Sequence, residues 1–228
     1  MTTDEQAYGS GPDRAPRGPD GAPGLRERKR RRTHRLLATT ALRLVAEYGL
    51  DRVTVEHISE AAGVSARTFF NYFAVKEDAL LVAYPDDERR IATLADRIEA
   101  APAGLSPAAA VVHAWREDLA RFDTDRDEWL TRLSVVAETP ALTARMTRMF
   151  ADEKVLTVGA LARRTGLSAD DPYVALVFHV VGGAVEASMD HWYRLGGTTP
   201  LVTLIDAAVS AVDGGLPLPV RTAAPAAD

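Results

Sequence analysis

From residue 36 to residue 212 apolar side chains recur every three or four positions, and no stretch alternates with period two. That spacing predicts helices throughout and an all-α fold. The first run places Leu36, Thr40, Ala41, Leu44, Val45 and Tyr48 on one face. Gly49 ends it, and Leu50 is placed for the apolar contact that follows such a stop. Two short runs come next. Thr54 is an N-cap for a helix carrying Val55, Ile58, Ala61 and Ala62, and Gly63 allows a left-handed turn after it. Ser65 is a second N-cap, and Phe69, Tyr72 and Phe73 form the next apolar stripe. Helices this short are unstable alone and must pack on each other and on a third. The pattern predicts a helix-turn-helix held by the first helix.

A helix from Lys76 runs through Leu80 and Leu81, and Pro85 predicts a kink or break before periodicity resumes at Ile91, Leu94 and Ile98. Pro107 opens the next helix, Asp125 to Ala137 forms another, and Pro140, Pro172 and Pro200 open three more. Gly166 and the Gly196-Gly197 pair mark two of the ends. Residues 1–24 are rich in Gly, Pro, Asp, Arg and Ser and are expected to be disordered. The expected organisation is that tail, a three-helix DNA-binding domain over 25–75, a helical ligand-binding and dimerisation domain over 76–213, and a flexible tail over 214–228.

Composition narrows the class. The chain has 228 residues, 46% of them hydrophobic, which is enough for a sizeable core. It has no Cys, so neither disulfides nor thiolate metal sites are available, and a reducing cytoplasm, with the nucleoid as the DNA partner's location, is the expected setting. The longest apolar run, Val174 to Met189, is interrupted by His179 and Glu186, so no membrane partner is expected. No Gly-rich phosphate loop or nucleophile elbow occurs, and the five His lack metal-ligand spacing. Neither an enzyme nor a cofactor is expected, and the carboxylates at Asp86 to Glu88 and Asp170-Asp171 read as helix caps.

Net charge is −5, but its distribution matters more. Through Lys76 there are 13 Lys and Arg against 9 Asp and Glu; beyond it the balance is 14 against 23. The basic end carries the helix-turn-helix, as phosphate binding requires. Within Arg26 to Arg35, Arg30, Arg31 and Arg32 are candidate DNA contacts, along phosphates or as a minor-groove arm. Cations oppose a helix dipole at its N-terminus, so this run is expected to stay frayed without DNA, with Thr33 as the cap where the helix firms up.

On the second short helix, Ala66, Arg67, Thr68 and Asn71 point away from the Phe69/Phe73 stripe. Arg67 can bond guanine bidentately and Asn71 can bond adenine. Thr54, Ser65, Thr68, Tyr72 and Lys76 suit phosphate, directly or through the backbone N–H groups beside them. A solvated helical hairpin in an unrelated bundle would show the same polar face.

Ala41 to Leu81, from the Gly-Leu-Asp turn through V-S-A-R-T-F-F-N-Y-F to K-E-D-A-L-L, resembles the DNA-binding domain of TetR-family transcription regulators. The resemblance implies base-facing roles for Ala66, Arg67 and Asn71 and phosphate-facing roles for Thr54, Thr68, Tyr72 and Lys76. Phe70 departs from the pattern, standing where the family often has Tyr, and it has no hydroxyl with which to reach a phosphate.

The later helices carry residue types that a small-molecule pocket uses. Val112, Trp115, Leu119 and Phe122 lie on one helix, and Trp129, Arg132 and Leu133 on the next. Met146, Met149 and Phe150 follow, then Phe178 and Val181. These could line an apolar pocket or simply form core. His113, His179 and Glu186 sit where they could orient a ligand. Gly182, Gly183, Ala187, Trp192 and Ala208 suggest close helix packing across a homodimer interface, as two half-sites require. Trp129 to Val212, with its ETPAL and Arg-Arg-Thr-Gly segments, resembles the C-terminal domain of TetR-type regulators that sense acyl-CoA-like ligands. That resemblance implies an elongated apolar effector with an anionic head, near Arg116, Arg132 or Arg145. The functional expectation is a repressor released from a palindromic operator by a hydrophobic or acyl-CoA-like effector. A repressor sensing cationic drugs, through Glu117, Asp118 or Glu186, and a constitutive DNA-binding regulator remain open beside it.

Overall fold

The computed structural model describes residues 24–85, residue 90 and residues 93–217, apart from the side chains of Phe150 and Asp152. Residues 1–23 and 218–228, and with them all but Gly24 of the first expected tail and all but residues 214–217 of the second, lie outside the described residues, as do Ile91 and the Asp86–Glu88 carboxylates. Among the described residues every regular element is helical. In chain order these are α1 (Leu25–Tyr48), a 3₁₀ turn (Leu50–Arg52), α2 (Val55–Ala61), α3 (Ala66–Phe70) and α4 (Lys76–Leu81). There follow α5 (Leu94–Glu99), α6 (Pro107–Thr124), α7 (Arg126–Ala137), α8 (Pro140–Thr165), α9 (Pro172–Arg194) and α10 (Leu201–Asp213).

α1 corrects two expectations. It begins at Leu25, with Gly24 rather than Thr33 as its cap, so the basic run is helical and not frayed. Glu27 sits in the first turn and pairs with Arg31 at 2.9 Å, and both the dipole and the i,i+4 spacing favour that arrangement. The buried face is also turned slightly from the expected one. Leu37, Ala38, Ala41, Leu42 and Val45 are buried, whereas Leu36 and Tyr48 are exposed.

The hairpin forms as its capping residues dictate. The Thr54 side chain accepts from His57 N–H, and His57 Nδ1 in turn accepts from Thr54 N–H, a closed capping box. Gly63 makes the turn at φ 68°, a left-handed value that a Cβ disfavours. The Ser65 hydroxyl accepts from Thr68 N–H at 3.1 Å and opens α3. Phe69 is fully buried and Phe73 nearly so, in one cluster with Leu37, Ala41 and Ile58 of α1 and α2. This cluster does not stop near residue 75. Leu80 of α4, Val135 and Val136 of α7 and Leu142 of α8 belong to it, so the two domains share apolar packing.

α4 ends at Leu81 and the chain stays non-helical through Pro85, where the ring would remove a helix hydrogen bond. The remaining helices form a bundle around Val111, Leu119, Leu161, Val181, Trp192 and Ile205. Asp123 of α6 ties its far end: its carboxylate accepts from Leu201 N–H at 3.0 Å and from Trp192 Nε1 at 3.2 Å. Gly197 closes the α9–α10 turn at φ 67°, where a Cβ would lie 2.7 Å from Arg126. α9 is long and apolar enough to cross a membrane by length and hydropathy alone, a test that the core helix of a bundle also passes. One stripe of it, including Val174, Val177, Val181 and Trp192, is buried in the bundle.

Candidate nucleic-acid interface

α3 displays the expected outward face. Arg67 and Asn71, four residues apart, are both exposed, and Ala66 is half-buried beside them. Asn71 is the C-cap of the helix, its backbone still in the right-handed region. Ser65 is exposed; its hydroxyl lies 2.9 Å from that of Thr68. Tyr72 is half-buried, edge-on to His34 of α1 at 6.3 Å between ring centres. Phe70 stands exposed in the same surface. Arg30 and Arg32 are exposed on α1, while Arg31 is held by Glu27.

Lys76 differs from expectation. Its ammonium donates to the carbonyls of Leu50 at 2.7 Å and Val53 at 2.8 Å, so two of its three donors hold the turn between α1 and α2. A cation is a natural partner for carbonyls gathered at the end of a helical turn. Lys76 therefore positions the hairpin; it is not a free phosphate-facing charge.

A polar latch joins this domain to the bundle, and the sequence pattern did not single it out. Arg35 of α1 reaches the junction of α6 and α7, bonding Asp125 at 3.2 Å and Glu128 at 3.1 Å, and also donates to the Ala83 carbonyl. The Tyr84 hydroxyl donates to Asp125 at 2.7 Å and accepts from Trp129 Nε1 at 3.2 Å. The guanidinium groups of Arg35 and Arg121 lie over its ring, 4.7 and 4.4 Å from the ring centre. Burial, then the neighbouring Asp125, push the phenol up to about 12, so it remains a donor at any physiological pH. Arg132 and Arg145 complete the latch from the bundle side. Arg132 donates to the Leu80 carbonyl and to Glu128, and Arg145 bonds Asp78 of α4 at 2.8 Å.

These bonds correct the anion-anchor expectation. Arg132 is buried, and desolvation lowers its pKa against the opposing effect of Glu128. Arg145 is committed to Asp78, and Arg116 bonds Asp206 at 2.7 Å. The expected pocket residues also serve other ends. Val112, Leu119 and Val181 are buried core, Phe122 stacks on Trp129 with ring centres 3.9 Å apart, and Met146 packs against the DNA-binding domain cluster. Trp115, Leu133 and Phe178 are half-buried against the bundle core, and Met149 is half-buried on α8. The Phe150 side chain lies outside the described residues. Among the clefts on the described surface are two that none of the expected apolar lining reaches, although His113 and Glu117, both expected near a ligand, line the second. One, of about 410 Å³, lies between the α6–α7 junction and the turn before α10, and the other, of about 250 Å³, lies beside Arg97, His113 and Glu117. Close helix packing brings those apolar positions together as core, which periodicity alone cannot distinguish from a pocket wall. His179 and Glu186 are exposed rather than turned toward the bundle.

The expected dimer residues divide. Gly182, Gly183 and Ala187 are exposed on α9, and a Cβ at either Gly would meet nothing within 4 Å. Trp192 is fully buried and bonded to Asp123, so it belongs to the subunit's own core, and Ala208 is partly buried against the same core.

A short capped hairpin with an exposed Arg-Asn face, set on a basic first helix and latched to a helical bundle, defines a helix-turn-helix DNA-binding regulator. Residues 37–83 match the family model described as bacterial regulatory proteins, tetR family, and residues 105–217 match that of the MftR C-terminal domain. Over 202 residues the chain is 35% identical to the HTH-type transcriptional regulator TcmR of Streptomyces glaucescens, covering 84% of this chain and 86% of that one. The fold also matches the fatty acid degradation regulator FadR from Bacillus halodurans, with a TM-score of 0.56 at 17% identity over 80% of this chain and 98% of that one. FadR from Bacillus subtilis, solved in complex with stearoyl-CoA, gives a TM-score of 0.54 at 18% identity over 79% and 97% of the two chains. The chain belongs to the TetR family of DNA-binding transcription regulators.

Proposed function

We propose that the protein is a homodimeric repressor whose two α3 helices read the half-sites of a palindromic operator, and that a small hydrophobic or acyl-CoA-like effector releases it. The observation that carries the operator reading is the exposed Arg67–Asn71 pair on a capped and braced α3. Arg67 bonds guanine and Asn71 bonds adenine in the major groove. Dimerisation is supported by the open Gly182-Gly183-Ala187 surface of α9, small enough for close approach of a second helix. The effector reading is supported by the likeness to a FadR solved with stearoyl-CoA and by the latch. Trp129 stands at once in the bundle and on Tyr84, so spreading the helices around it changes how the DNA-binding domain is held.

Replacing Arg67 by Ala should weaken the selected operator about 5- to 150-fold and relax base preference at one position per half-site. Equal binding of parent and variant at matched salt would end the base-reading role. The effector reading is tested by titrating stearoyl-CoA and a hydrophobic cation against tryptophan fluorescence, with and without operator. A coupling of about 1–3 kcal/mol should appear equally in both directions. A ligand that binds alike in both conditions would not be the one that switches the protein, and failure of all probes would favour a constitutive regulator.

A further inference from the structure

The exposed Phe70 on α3 has no part in the polar reading of DNA by Arg67 and Asn71. It is 55% exposed, although it lies one residue from the fully buried Phe69. Its ring meets Phe69 edge-on, with centres 5.7 Å apart, and Phe69 is itself backed by Phe73 at 5.5 Å. One side of Phe70 is thus braced by the hairpin core while the other faces outward. It is three residues from Arg67 and adjacent to Asn71, so it shares their turn of the helix and their surface.

A phenyl ring can neither donate to a phosphate nor accept from a base. Left in water, it carries apolar surface whose burial is favourable by about 25 cal/mol per Å². In the major groove the one apolar group that distinguishes a base pair is the C5-methyl of thymine. We infer that Phe70 is a specificity-determining residue that reads thymine through this methyl group. The inference rests on the operator-binding reading of α3 and adds to it an apolar contact beside the two polar ones. It favours a thymine near the base pairs read by Arg67 and Asn71 in each half-site, and it disfavours cytosine at that place, which lacks the methyl.

The test uses the full chain and a duplex that it enriches from a randomised pool. Each thymine of that duplex is replaced singly by deoxyuridine, which removes the methyl and keeps the pairing. Affinities are then measured for the parent, Phe70→Ala and Phe70→Leu. At one thymine per half-site the parent should lose about 3- to 10-fold, and Phe70→Ala should bind both duplexes alike. Phe70→Leu, which keeps apolar bulk and helix propensity, should retain part of the difference and guards against simple loss of α3. If no thymine shows a methyl effect that depends on residue 70, the inference is overturned. A uniform loss in Phe70→Ala, with the methyl effects intact, would overturn it in favour of a sugar contact. A parent protein that enriches no sequence would instead fail the operator-binding reading itself.

Discussion

Trp129 of α7 donates its indole N–H to the hydroxyl of Tyr84 at 3.2 Å, and so joins the helical bundle to the segment that leaves the DNA-binding domain. The same hydroxyl donates to Asp125, so one oxygen links α7 to the end of α6. Tyr84→Phe leaves both Trp129 Nε1 and the Asp125 carboxylate short of a partner. The expected cost is about 1–2 kcal/mol in denaturant unfolding at fixed protein concentration. A cycle with Trp129→Phe should show the two changes to be non-additive by about 0.5–1.5 kcal/mol. Strict additivity would show that the bond contributes nothing to joining the domains.

The first turns of α1 carry Arg26, Arg28, Lys29, Arg30 and Arg32 on its surface. Changing all five to Gln should lower operator affinity and flatten the slope of log K against log salt by about 0.9 for each phosphate no longer neutralised. Helicity should persist, since Gln is a good helix former. A variant with the parent's salt slope would show that this part of α1 does not touch DNA.

Gly183 is the sharper probe of assembly. Within one subunit a side chain there meets open space, so Gly183→Leu should leave the monomer folded and even favour its helix. In a close helix contact with a second copy, the same side chain would push the backbones apart. Sedimentation should therefore show a monomer where the parent is a dimer, with helical content by circular dichroism unchanged. A stable Gly183→Leu dimer would place the interface elsewhere.

Glu153 of α8 carries a carboxyl that burial raises above its ordinary 4.5; Asp118 adds to the rise, while Arg90, the Trp115 indole and Arg97 oppose it. A carboxyl raised on folding binds its proton more tightly in the native state than in the unfolded one. Its contribution to stability is therefore greatest below pH of about 4.5 and is lost as pH rises through the raised native value. Glu153→Gln keeps the neutral form at every pH. The variant should melt like the parent in acid and above it at neutral pH, the gap opening as the parent's carboxyl ionises. A variant less stable than the parent at pH 7 would mean that Glu153 acts through its charge.

The all-α class, the capped hairpin and the outward Arg67–Asn71 face were all legible in the sequence. They depend on interactions between residues three or four apart: Thr54 with His57, Ser65 with Thr68, and the stripe from Phe69 to Phe73. Gly63 and Pro85 marked a turn and an interruption for equally local reasons. Partners chosen across the fold were not legible. Lys76 reads as a free phosphate-binding cation until the chain brings Leu50 and Val53 to it, and Arg132 reads as a ligand anchor until the Leu80 carbonyl reaches it. Trp192 and Gly183 lie on one helix with similar local patterns, yet the bundle buries the first and leaves the second open. Periodicity tells which residues share a helix face. Which face meets core, solvent or another subunit is decided only when contacts between residues 23 to 93 positions apart form, because the energies of burial and charge pairing belong to those contacts and not to the local chain.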